Sequence, residues 1–285
     1  HNMNATMNRR DFVKGLAAAG ALTFAGLGTT RAASNLPIGI QLYTVRDLSG
    51  KDFKGTLKKV AEIGYKHFEF AGYGGMNAAE VNAFLQELGA NTCGTHEGYG
   101  NFLDNAQKVI DFNSAIGSPY IVVPSMPGHF RSADVRGLQD FAYNLNTFGY
   151  KVKEAGMQLC YHNHSFEFEK VEGDRTLWDV IFSETDADLV KAEVDVAWVY
   201  NAGVDPVELI DKYSDRVALL HMKDLDKDGK LAPVGEGVID MPAVIKKAKD
   251  VGVSYYIVEQ DRTREGKDIL DEITISYKNL KKLLS

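Results

Sequence analysis

Cysteine is nearly absent from this chain of 285 residues, which holds only Cys93 and Cys160. Two thiols cannot build the staple framework of a small secreted scaffold or a Cys-rich zinc site, so any metal must be held by imidazole and carboxylate. Histidine is scarce too, with seven residues. Basic residues are outnumbered, 32 Lys and Arg against 39 Asp and Glu, for a formal net charge of −7. Nucleic acids and anionic membrane surfaces bind basic footprints that release counterions, so neither is an expected partner. A multi-zinc DNA-repair nuclease fails on the same charge and on the shortage of histidines. No apolar run reaches the roughly 20 residues that span a bilayer, so no stable membrane anchor is expected. What is present, 45% hydrophobic and 25% charged residues, is the composition of a globular protein whose partner is a small polar molecule.

Near the N-terminus, Asn8-Arg9-Arg10-Asp11-Phe12-Val13-Lys14 precedes an apolar, Gly- and Ala-rich run from Gly15 to Gly28. This looks like a twin-arginine secretion signal, with Thr30-Arg31-Ala32 supplying small residues before a cut after Ala32. Residues 1–32 are therefore expected to be an export signal read by the twin-arginine machinery, which gives a periplasmic protein. Residues 33–285 form the second expected unit, a single domain. Removing Arg9, Arg10, Lys14 and Arg31 against Asp11 makes the remainder more acidic still. In an oxidising compartment Cys93 and Cys160 could pair, but both fall in predicted strands not expected to be neighbours, so buried free thiols are expected.

Beyond the signal, strand-length apolar runs alternate with amphipathic runs of helix length, without a Pro- or Ser-rich linker. The predicted strands are Ile38 to Val45, Lys66 to Ala71, Asn91 to His96, Tyr120 to Ser125, Gln158 to His164, Lys191 to Val199, Val217 to Lys223 and Tyr255 to Gln260. Gly64, Gly89, Gly117, Gly156 and Gly252 each close a helical run just before a strand, where a left-handed residue is often required. Strict alternation implies a parallel sheet, and eight units in roughly 250 residues match a closed (β/α)8 TIM barrel. An open doubly wound sheet is disfavoured because no strand is followed by Gly-x-Gly-x-x-Gly.

Chemistry in such barrels sits at the C-terminal ends of strands. There the second half of the chain interrupts its apolar runs with polar residues: His162 and His164, then Asp195, His221 with Lys223, and Glu259. Burying Asp195 and Glu259 as ions would cost several kcal/mol each unless compensated. A divalent cation compensates both, and His221 with a neighbouring imidazole completes a mixed N/O set suited to manganese, zinc, cobalt or a similar ion. His162 and His164 share a strand face, so either could be the fourth ligand and the other an acid-base group.

The residues Gly39 to Arg46, Tyr161 to Phe168, Leu220 to Asp224, Val234 to Gly237 and Val258 to Asp261 resemble the xylose isomerase-like barrel superfamily, which includes sugar phosphate isomerases and epimerases. The likeness covers most of the chain beyond the signal. It implies one divalent metal, Mn, Zn, Co or Mg, with Asp195, His221 and Glu259 as ligands. The strand-five position departs from the ketose epimerases, which use a glutamate there as ligand and base. His162-x-His164 looks more like the inosose dehydratases, which remove water next to a ketone.

The resemblance implies proton abstraction beside the carbonyl of a keto-sugar, with Glu259 or a histidine such as His164 as base and Lys223 beside the oxyanion. An isomerase or epimerase is expected first. A lyase or dehydratase acting on a 3-keto-glycoside or inosose-like sugar by β-elimination is the alternative, and a non-catalytic carbohydrate-binding barrel is the reading from another class. Glu69 and His96 are candidates to bind sugar hydroxyls, Tyr43 and Trp198 to stack on a sugar face. Glu236, between Gly235 and Gly237, is a candidate lid or substrate contact. No basic nest for a phosphate is evident, and a homo-oligomer is left open.

Overall fold

The computed structural model describes residues 37–131 and 134–285. The expected export signal at residues 1–32 lies outside them. Eight strands form a closed barrel: β1 (Ile38–Gln41), β2 (His67–Phe70), β3 (Asn91–His96), β4 (Tyr120–Val123), β5 (Gln158–His162), β6 (Val190–Asp195), β7 (Val217–Met222) and β8 (Tyr255–Val258). Neighbours in sequence are neighbours in space, all pairs are parallel, and β1 pairs with β8 to close the ring.

Helices cover the outside because their apolar positions recur every three or four residues. Val135–Glu154, for example, buries Leu138, Phe141, Ala142, Leu145, Phe148 and Val152, each burial contributing about 1.5–3 kcal/mol for the larger side chains. Asp134 Oδ1 accepts from Gly137 N at 3.0 Å and so fixes this helix's start. The five glycines at helix-to-strand joints all have positive φ, the conformation a side chain would disfavour.

The inside of the barrel follows the two-residue period of the strands. Its lower level is apolar, a separate cluster of Cys93, Val122, Cys160, Leu219 and Ile257. Both cysteines are free and buried, as expected. Gly39 belongs to this level because a Cβ there would stand 3.1 Å from Cys93 Sγ and 3.2 Å from Ile257 Cγ1. Further along six of the strands, on the same face, come Gln41, Glu69, His162, Glu193, His221 and, one residue past β8, Glu259. A further two steps reach Tyr43, His164, Asp195, Lys223 and Asp261. Apolar filling thus gives way to charge only at the C-terminal end.

Seven of the eight predicted strands run past the observed ends, by one to four residues, and three of these overruns bear on the site. The first stops at Gln41, whose side-chain oxygen accepts from Tyr43 N at 2.9 Å and starts a short 3-10 turn over Leu42–Val45. The fifth ends at His162, so His164 stands on the loop beyond it. The sixth ends at Asp195, whose Oδ1 caps a helix over Val196–Asn201 by accepting from Ala197 N at 3.1 Å and Trp198 N at 3.0 Å. The apolar run Val196 to Val199 is helical because that carboxylate satisfies two otherwise orphaned N–H groups. Among the described residues no helix is long and apolar enough to cross a membrane.

Candidate active site

Register brings the polar residues together. Asp195 on β6 stands opposite His221 on β7, and His162 on β5 opposite Glu193 on β6. Lys223, one step past β7, is buried, and its Nζ lies 2.9 Å from Asp195 Oδ2, 2.8 Å from Glu259 Oε2 and 2.8 Å from Asp261 Oδ2. Trp198 packs its ring 4.8 Å from the same ammonium. Burial alone would lower the Lys223 pKa, but Asp195, Glu259 and Asp261 outweigh it and raise it. The group is a fixed cation. Asn163 ties the floor to β6, its Oδ1 accepting from Asp195 N at 2.9 Å.

Below this level sits a buried network of imidazoles and carboxylates. Glu69 Oε2 accepts from Gln41 Nε2 at 2.9 Å and lies 2.6 Å from His221 Nε2. Glu193 Oε1 lies 2.8 Å from His96 Nε2, 3.0 Å from His162 Nδ1 and 3.0 Å from His221 Nε2. His221 Nδ1 reaches Glu259 Oε2 at 2.9 Å. Burial disfavours a charged ring at His96, yet Glu69 and Glu193 raise its pKa to about 10. The same balance, with Glu193, Glu69 and Glu259, lifts His221 well above the usual range. His162 goes the other way, since burial and the neighbouring rings of His221 and His96 hold it well below that range. The network therefore joins three carboxylates, Glu69, Glu193 and Glu259, to three imidazoles, His96, His162 and His221.

A cavity of about 500 Å³ opens above, bounded in part by Tyr43, His96, His162, His164, Lys223 and Glu259. His164 is held at its edge by its backbone N–H, which donates to Glu167 Oε2 at 2.8 Å. Glu167 is in turn anchored by the Tyr161 hydroxyl, 2.7 Å from Oε1. Burial and then the Lys223 charge lower the His164 pKa to about 4. This ring is neutral, with Nδ1 left unpaired.

The residues fit a divalent cation. One ligand atom each from His162, Asp195, His221 and Glu259 lie within 4.8 Å of one another, all four buried. Donors about 2.0–2.2 Å from a common ion stand no more than about 4.4 Å apart, so small side-chain shifts close the set. Two nitrogens and two carboxylates match the donor preferences of zinc, manganese or cobalt. A second group, His96, His162, Glu193 and His221, meets the same distance test. Its donors are already joined in pairs around Glu193.

Of the eleven residues singled out in the sequence, most converge here. Tyr43 and His96 border the cavity, Glu69 is enclosed beneath it, and Trp198 borders a neighbouring cavity instead. Glu236 is not brought to the site: its carboxylate pairs with Arg264 at 2.8 Å. The glycines around Glu236 serve Asp224, whose Oδ2 accepts from Gly235 N at 2.9 Å and Gly237 N at 3.0 Å. A Cβ on Gly237 would fall 2.3 Å from Leu225 O, so close backbone approach explains this glycine. Sequence reasoning missed Glu193 and Asp261 as site residues. Each lies two positions from a named ligand, Asp195 or Glu259, and period-two alternation places it on the same face.

A closed parallel barrel with a buried polar cluster at its C-terminal strand ends defines a TIM barrel of the enzyme-bearing kind. More narrowly, the chain belongs to the xylose isomerase-like TIM barrel family, whose family model matches residues 57–279. Among curated relatives, an inosose dehydratase of Lacticaseibacillus casei is 26% identical over 189 residues, covering 53% of this chain and 61% of that protein. The chain thus spans about three fifths of the length of this relative. An inosose dehydratase of Geobacillus kaustophilus is 24% identical over 247 residues, covering 72% of this chain and 79% of that one. Among solved structures, a sugar phosphate isomerase/epimerase from Parabacteroides distasonis superposes with a TM-score of 0.78 at 23% identity, covering 92% of this chain and 99% of that one. That likeness concerns the fold.

Proposed function

We propose that the protein is a metal-dependent enzyme of the sugar isomerase/epimerase kind, which removes the proton beside the carbonyl of a keto-sugar. The observation that carries this reading is the convergence of His162, Asp195, His221 and Glu259 within 4.8 Å under a cavity that Lys223 and His164 also face. These four residues would hold the cation, which supplies Lewis-acid polarisation of the carbonyl when bound. Export to the periplasm through the twin-arginine route belongs to the same proposal.

The protein's own residues account for the rest of the chemistry. The neutral His164 imidazole receives the proton from the carbon next to the carbonyl. Glu167 and Tyr161 hold the backbone that presents it. Lys223, kept charged by its three carboxylates, stands beside the oxygen on which negative charge develops. Glu259 would be engaged with the cation, which leaves His164 as the base, and Lys223 and His221 hold the Glu259 pKa well below the carboxylate range. Tyr43, about half exposed at the rim, offers a ring to a sugar face.

A second outcome starts from the same enolate, which expels a group on the adjacent carbon. Two observations favour it: β5 presents His162 where a two-base epimerase would present a carboxylate, and the curated relatives named above are dehydratases. Product analysis by NMR in heavy water tests both. Solvent deuterium in an intact sugar supports isomerisation, and release of water or an aglycone supports elimination. Absence of either from a panel of ketoses, inososes and 3-keto-glycosides, with metal-loaded protein, contradicts the proposal. His164→Ala should reduce deuterium exchange by at least about 100-fold.

A further inference from the structure

Beside the cavity over the histidines lies a larger one of about 860 Å³. It is bounded by Trp198, by the hairpin of Asp224–Leu225 with Leu231–Ala232, and by the loop that follows β8. Asp261 borders both cavities, and its carboxylate holds Lys223 Nζ at 2.8 Å. The two spaces therefore adjoin at Asp261, where the Trp198 ring of the larger one stands 4.8 Å from the Lys223 ammonium of the smaller one. Each volume falls in the roughly 300–1,000 Å³ range of small-molecule sites, and a single sugar ring needs only one of them.

We infer that the substrate is a two-unit carbohydrate, with its keto-sugar ring over the histidines and a second sugar ring in the larger cavity against Trp198. The inference rests on the keto-sugar reading above and specifies its substrate. The lining favours a neutral sugar over other second units. Trp198 and Leu231 provide limited apolar surface, sufficient for one face of a pyranose and small for an aromatic group. Acids and bases are balanced, with Asp226, Asp261 and Glu265 facing Lys230, Arg262 and Arg264, so an anion meets as much repulsion as attraction. Arg264 is committed to Glu236 and Glu272. Lys230 and Arg262 form no ion pair among the described residues, which leaves their donors for hydroxyl groups.

The test uses the full metal-loaded protein and compares kcat/KM for the 3-keto form of maltose with that for methyl 3-keto-glucoside. Wild-type protein should favour the two-ring substrate by about tenfold or more. Thr263→Trp, which narrows the larger cavity from its exposed rim, should cut that preference about tenfold. A wild-type ratio near one, or an unchanged ratio in the variant, overturns the inference. Calorimetric binding of unoxidised maltose and glucose separates this failure from failure of the keto-sugar reading. If no keto substrate reacts, yet maltose binds about tenfold more tightly than glucose and loses that margin in Thr263→Trp, the second site stands and the reaction falls. If the two sugars bind equally, the second site falls.

Discussion

Replacing Lys223 by methionine keeps most of the buried stem and deletes the ammonium that joins Asp195, Glu259 and Asp261. Lys223 is 1% exposed, while the side chains of its partners are 0%, 7% and 26% exposed respectively. Asp261 can draw on water after the change, Glu259 reaches it only where it borders the cavity, and Asp195 is fully enclosed. Removing one partner from a buried ion pair costs about 3–5 kcal/mol, since the remaining charge is left uncompensated. We take about 4 kcal/mol for the metal-free protein, because two enclosed carboxylates are exposed to the loss and both retain some other support. Asp195 keeps its two backbone N–H donors and Glu259 keeps His221. At about 2–4 °C per kcal/mol for a domain of this size, Tm should fall by about 8–16 °C. The assay is urea and thermal unfolding in chelator, followed by titration with zinc or manganese. A cation held by Asp195 and Glu259 compensates the same two charges, so the ion should stabilise Lys223→Met more than it stabilises wild type. A loss below about 1 kcal/mol, or equal stabilisation by the ion, would refute the reasoning.

Three further outcomes follow from the same geometry. Burial, only partly offset by the Tyr161 hydroxyl and the His164 N–H, raises the Glu167 pKa from 4.5 to about 7. A raised carboxylate favours folding most when protonated, so this contribution is full below about pH 4.5 and is lost as pH rises through about 7. It amounts to about 3 kcal/mol at most, and Glu167→Gln should flatten the pH dependence of Tm over that window; an unchanged slope argues against it. Asp224→Ala strands the N–H groups of Leu225, Gly235, Gly237 and Ile239 and should cost about 3–5 kcal/mol in urea unfolding, with Asp224→Asn recovering part. Glu193→Gln weakens the acceptor shared by His96, His162 and His221, and should loosen metal binding about 10–100-fold by calorimetry; unchanged affinity would mean that Glu193 does not orient the ligands.

Much of this was legible in the sequence because a barrel strand buried on both faces writes itself as an apolar run, and any polar residue within it stands out. His162, His221 and Glu259 are visible in that way. Asp195 is visible too, but its second task is not: the run after it reads as strand, and only the bond from its carboxylate to Ala197 N and Trp198 N turns the chain into a helix. That turn sets Trp198 at the border of the adjoining cavity, with its ring 6.5 Å from that of His164. Glu236 stands apart from the histidines, paired with Arg264. Glycines flanking a carboxylate suggest a ligand contact, whereas here their backbone N–H groups fold onto Asp224, eleven or more residues earlier in the chain. Glu193 went unplaced because its partners come from β3, β5 and β7, and cross-barrel distances have no signature along a single strand.

The central claim is that His162, Asp195, His221 and Glu259 hold one divalent cation at the mouth of the barrel. It is tested most directly by an anomalous difference map from crystals of the protein loaded with manganese or zinc, collected at the absorption edge of that metal. The account predicts one strong peak bounded by these four side chains. No peak there, or a peak enclosed instead by His96, His162, Glu193 and His221, would contradict it.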